Sequence, residues 1–123
     1  MEKINIVLIS IGLLVFSFGC QNTTDPNIKE EIKNVSVSNT EVFEYQTGIS
    51  GDEELATIEK HPKNYEISTI VRDSTTNWEA VYQYKPESGF QGTDYVELKL
   101  GTGSNGASPN KNITVIKLNI TVN

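Results

Sequence analysis

Two stretches near the carboxyl end alternate apolar and polar residues with period two, and no other feature restricts the fold as tightly. In Tyr95-Val96-Glu97-Leu98-Lys99-Leu100 the even positions are apolar, so Val96, Leu98 and Leu100 share one face of an extended strand. In Ile116-Lys117-Leu118-Asn119-Ile120-Thr121-Val122 the even positions are apolar again. Just upstream, Ile113 and Val115 have the opposite phase, which predicts a one-residue bulge near Val115-Ile116. Further strands are expected at Val35–Ser38, Val42–Thr47, Leu55–Lys60, Tyr65–Arg72 and Trp78–Tyr84, the last with Trp78, Ala80, Tyr82 and Tyr84 on one face. Asp73-Ser74-Thr75-Thr76-Asn77 supplies turn chemistry between two of them. Helical periodicity is nearly absent. About seven short strands with turn signals every 8–12 residues predict an all-β chain folded as an antiparallel β-sandwich.

The amino terminus reads differently. Met1-Glu2-Lys3 precedes an apolar run from Ile4 to Phe18, and the chain turns polar directly after Cys20. That run is too short to span a bilayer and suits the core of a signal peptide. Ser17-Phe18-Gly19-Cys20 resembles the lipobox of bacterial lipoproteins, with Gly19 and Cys20 matching and with Ser17 and Phe18 departing from the usual residues. The resemblance implies cleavage before Cys20, a diacylglyceryl group on its sulfur and acylation, such as palmitate, of the new amino terminus. Several acyl chains anchor stably where one does not. The expected partition is therefore a signal peptide at 1–19, a lipidated flexible tether at 20–33 and the β-sandwich at 34–123. Gln21 lacks the aspartate that retains enteric lipoproteins in the inner membrane. An outer membrane is thus the expected location, with its periplasmic or exposed face left open.

One internal segment is more specific. Tyr84-Lys85-Pro86, then Phe90-Gln91-Gly92-Thr93-Asp94, resembles the Tyr-x-Pro and Phe-x-Gly-x-Asp signature of bacterial Ig-like, cadherin-like domains. The matching residues are Tyr84, Pro86, Phe90, Gly92 and Asp94, and the resemblance implies an Ig-like or cadherin-like sandwich. The chemistry of these residue types agrees. Pro86 ends a strand by removing a donor, Gly92 permits a turn, and Phe90 plugs the sandwich end. Asp94 shares the inward parity of Val96, and a buried carboxylate must be paired. Backbone amides of the Gly89–Thr93 turn are its expected partners.

The remaining residues limit the chemistry. Cys20 is the only cysteine, so the lipid consumes the only thiol. His61 is the only histidine, and no serine lies in a Gly-x-Ser-x-Gly setting. Asp52-Glu53-Glu54 is the one notable acidic cluster and lacks the carboxylate spacing of calcium-binding cadherins. No catalysis, metal or cofactor is expected. With 10 basic and 16 acidic residues the net charge of −6 opposes nucleic acid and anionic surfaces. Asp73-Ser74-Thr75 resembles an O-glycosylation acceptor of exported proteins in one group of Gram-negative bacteria, making Ser74 a candidate modification site.

The expected function is a lipid-anchored envelope module for binding, adhesion or assembly, held to the membrane through Cys20 with an envelope protein or glycan as partner. The alternative is a carbohydrate-binding accessory lipoprotein of a glycan-uptake system. Coplanar exposed tyrosines would favour the second, and an apolar edge strand the first.

Overall fold

The computed structural model describes residues 26–123. The expected signal peptide, Cys20 and the first part of the expected tether lie outside the described residues. Seven strands follow in chain order: β1 (Asn27–Val37), β2 (Phe43–Gln46), β3 (Leu55–Lys60), β4 (Tyr65–Val71), β5 (Val81–Pro86), β6 (Gly92–Thr102) and β7 (Asn112–Val122). They form a four-stranded sheet ordered β1-β7-β6-β3 and a three-stranded sheet ordered β2-β5-β4. The chain is an all-β sandwich of a four-stranded and a three-stranded sheet.

The alternation read from the sequence builds the core. Val96, Leu98 and Leu100 of β6 and Ile116, Leu118, Ile120 and Val122 of β7 face inward and meet Tyr82 and Tyr84 of β5. Their odd-numbered neighbours face solvent on the outer side of the four-stranded sheet. Phe43 and Tyr45 of β2 and Ile70 of β4 pack against the same cluster from the other sheet.

Four expectations need correction. Residues 27–33, assigned to the tether, form the first half of β1, which runs parallel to β7 from Asn27↔Asn112 to Val37↔Val122. Backbone pairing rather than burial holds this stretch, since its side chains are almost all exposed. The sandwich is therefore antiparallel except along this edge. Second, β7 pairs with β1 and β6 in unbroken register, with no bulge at Val115-Ile116. Ile113 is buried on the outer face instead, where Asn110 of the β6–β7 connection packs on Gly101, the cross-strand partner of Ile113. The opposite phase thus reflects cover from both sides. Register shifts occur elsewhere, at Ile58/Lys60 and Tyr65/Ile67.

Third, Trp78 is not on the core face. Asp73 caps a short 3₁₀ turn at Ser74–Thr76, and Asn77 and Trp78 then take left-handed backbone with φ of 53° and 63°. Strand β5 begins only at Val81, leaving Trp78 62% exposed. Ser74 is exposed at the start of the same turn.

The strand order sorts the connections into two ends. Asn27 enters beside Lys111, whose carbonyl accepts from its amide at 2.8 Å. At this entry end lie the β2–β3, β4–β5 and β6–β7 connections. The β1–β2, β3–β4 and β5–β6 connections lie at the far end.

Candidate binding surface

The fourth correction concerns Asp94, which is 8% exposed. Its carboxylate reaches across to the β3–β4 connection, where Oδ1 accepts from Lys63 N at 2.8 Å and Oδ2 from Asn64 N at 2.8 Å. The Tyr95 amide donates at 2.9 Å and the Tyr84 hydroxyl at 3.2 Å. The clamp is real, but it holds residues 63 and 64 rather than the Gly89–Thr93 turn. A carboxylate inside the sandwich rim takes the nearest unpaired amides, and those belong to the connection crossing above it.

The other signature residues support this clamp. Pro86 closes β5 and is fully buried. Phe90 packs against the core from the β5–β6 connection. Gly92 opens β6 with φ of +139°, and a Cβ there would stand 3.5 Å from the Phe90 ring. Tyr84, without exposure, has its hydroxyl pushed well above the ordinary phenol range, first by burial and then by the Asp94 charge.

With the connection pinned, a depression of about 480 Å³ opens over the far end of the four-stranded sheet. Asn34 of β1, Thr93 and Tyr95 of β6, and Asn119 and Thr121 of β7 form its floor, with Lys60, His61, Lys63 and Asn64 along one wall. Asn119 Nδ2 donates to Asn34 Oδ1 at 3.0 Å, so the parallel pairing of β1 on β7 builds an amide pair into the floor. The Tyr95 hydroxyl donates to Glu97 Oε1 at 2.7 Å, and that bond leads the causes raising its pKa to about 12. Lys60 Nζ sits 5.5 Å from the Tyr95 ring centroid, within range of a cation–π contact. Among the described residues, neither Lys60 nor Lys63 enters an ion pair, whereas Lys29, Lys33, Lys85 and Lys117 do.

His61 is fixed from the other side. Its ring stacks on Tyr65 at 5.6 Å, and Nδ1 lies 2.9 Å from Ser68 Oγ. Ser68 Oγ is also 2.9 Å from the hydroxyl of buried Tyr82, whose pKa burial raises to about 12. This serine–histidine contact belongs to a bridge between the β3–β4 connection and the three-stranded sheet. Among the described residues no group of three or more His, Cys, Asp or Glu is placed to hold a metal ion.

The three tyrosines that are not buried, Tyr45, Tyr65 and Tyr95, are not coplanar. Tyr95 lies on the outer face of the four-stranded sheet, Tyr65 stacks with His61 at the edge of the other, and Tyr45 packs against the core. Nothing in sequence spacing joins Asn34, Lys63 and Asn119. The inward parity of Asp94 was the one readable sign of the clamp.

Among solved structures, the chain is similar to an endo-fucoidan hydrolase from glycoside hydrolase family 107, with a TM-score of 0.47 and 20% identity. The alignment covers 75% of this chain but only 12% of the hydrolase. It is also similar to a cysteine protease inhibitor from Entamoeba histolytica, with a TM-score of 0.45, 12% identity, and 80% of this chain and 100% of the inhibitor covered. No family model matches the chain, and no curated protein matches it.

Proposed function

We propose that this chain is a lipid-anchored, non-catalytic binding module of the cell envelope that takes an acidic glycan in the far-end depression. The carrying observation is the gathering of Lys60, His61 and Lys63 on one wall of a chain whose net charge is −6. Asn34, Asn119, Thr93 and Thr121 add short amides and hydroxyls suited to sugar hydroxyls, and Tyr95 adds an aromatic face. Native electrophoresis of the detergent-solubilised protein through polygalacturonate tests this. Retardation is expected there and not with neutral dextran, and Tyr95→Ala should weaken affinity roughly fivefold, equivalent to about 1 kcal/mol. Equal mobility in both gels would remove the glycan reading.

A second reading is assembly with an envelope protein, and the free edge of β1 favours it. Ile28 and Ile32 are 63% and 65% exposed on the outward side of that edge. Lys29, Glu31 and Lys33 on its other side pair among themselves, Glu31 lying 2.8 Å from Lys29 and 3.5 Å from Lys33. Charges along an edge discourage promiscuous pairing, and a matching strand must satisfy them. Ile32→Lys is expected to abolish cross-links between the anchored protein and its envelope neighbours while leaving stability within about 0.5 kcal/mol. Unchanged cross-links would dismiss β1 as the docking edge.

A further inference from the structure

Trp78 is the only tryptophan in the chain, and its placement is unusual in two respects. It is 62% exposed, and both it and Asn77 hold left-handed backbone that residues with a Cβ adopt reluctantly. The surroundings enforce this conformation. The Trp78 amide donates to the Asp73 carbonyl at 2.8 Å, and Arg72 Nε donates to the Trp78 carbonyl at 3.1 Å. The same guanidinium reaches the carbonyls of Gly51 and Glu54 in the β2–β3 connection. An indole is thus held outward on a rigid base.

Its position at the entry end gives it a surface to meet. The β6–β7 connection joins the same group of loops, since a Cβ on Gly106 would collide with the Glu53 carboxylate. Pro26 and Asn27 lie against that connection, sharing a cleft with Pro109 and Lys111. From Cys20 to Pro26 are six peptide steps, a reach of at most about 20 Å. Lipid on Cys20 would therefore keep the entry end within that distance of the bilayer, while the far-end depression points away.

The geometry points to Trp78 as a membrane contact, its indole seated in the headgroup layer of a zwitterionic bilayer so that the loops rest on the membrane. This rests on the lipid-anchor reading of Cys20. Tryptophan suits that layer because its ring is apolar and its N–H is polar. Charge selects the lipid: Asp52, Glu53 and Asp73 are exposed at this end and oppose anionic headgroups. A single indole binds weakly on its own, and the tether supplies the effective concentration that makes the contact persist.

Because Trp78 is the sole tryptophan, its fluorescence reports this contact directly. The mature, full-length lipidated protein is reconstituted into phosphatidylcholine vesicles with plain or brominated acyl chains, and flotation verifies attachment. The expected results are loss of most of the emission in brominated vesicles, weak quenching by soluble acrylamide, and weaker bromine quenching when phosphatidylglycerol replaces half the lipid. Protein that floats yet shows equal emission in plain and brominated vesicles overturns the inference and leaves the anchor intact. Protein that does not float overturns the anchor and the inference with it.

Discussion

Asp94→Ala is expected to lower the free energy of unfolding by about 4 kcal/mol, one of the two largest losses anticipated for a single substitution in this chain. The carboxylate accepts from three backbone amides, those of Lys63, Asn64 and Tyr95, and from the Tyr84 hydroxyl. Each buried donor left without a partner costs about 1–3 kcal/mol. The four do not contribute equally. Lys63 is exposed and Asn64 half-buried, so water recovers part of their loss, whereas Tyr84 has no exposure and its hydroxyl keeps only the long 3.4 Å contact to the Asn64 carbonyl. Asp94→Asn keeps one acceptor oxygen but turns an N–H₂ toward a donor, and about half the loss is expected for it. Urea unfolding measures both, with the midpoint moving and the slope constant. A loss under about 1 kcal/mol for Asp94→Ala would mean that the β3–β4 connection holds itself and the clamp is incidental.

The clamp also shows where the sequence is readable and where it is not. Inward parity with Val96 announces that Asp94 is buried, and burial of a carboxylate demands donors. The donors lie 31 and 30 residues away, at Lys63 and Asn64, and no local pattern encodes a pairing across two sheets. Strand β3 has the bounds expected from its composition, Leu55–Lys60, because its own residues dictate extended structure. The first half of β1 does not, because its hydrogen bonds go to β7 and its two apolar residues, Ile28 and Ile32, stay exposed and mark no buried face. That gap also hid the floor of the depression. Asn34 and Asn119 become neighbours only through the parallel register, 85 residues apart in the chain. Trp78 escaped for another reason: its period-two spacing from Ala80 suggested a strand, while Asp73 and Arg72 dictate a turn. Side-chain capping decides such short segments, and hydrophobic spacing does not report it.

Leu98→Ala tests the period-two alternation of β6 as energetics. Leu98 has no exposure and faces the core between cross-strand partners Ile58 on β3 and Ile116 on β7. Truncation removes buried surface and leaves a cavity that strands paired on both sides cannot close, at a cost of about 3 kcal/mol. Lys99, one residue on, faces out, and Lys99→Ala is expected to stay within about 0.5 kcal/mol. Urea midpoints for the two variants should therefore differ by most of the Leu98 effect, and equal losses would mean that parity is not what holds β6. Leu98 and Asp94 stand about 13 Å apart along one strand and share no hydrogen bond, so their effects should add within about 0.5 kcal/mol. The double variant then loses about 7 kcal/mol, a large part of the 5–15 kcal/mol that a domain commonly possesses, and its unfolding midpoint is expected to fall by the sum of the two single shifts. A double variant that remains folded with a loss well below the sum would show that the clamp and the core melt together, the rim of the sandwich being no more stable than the packing beneath it.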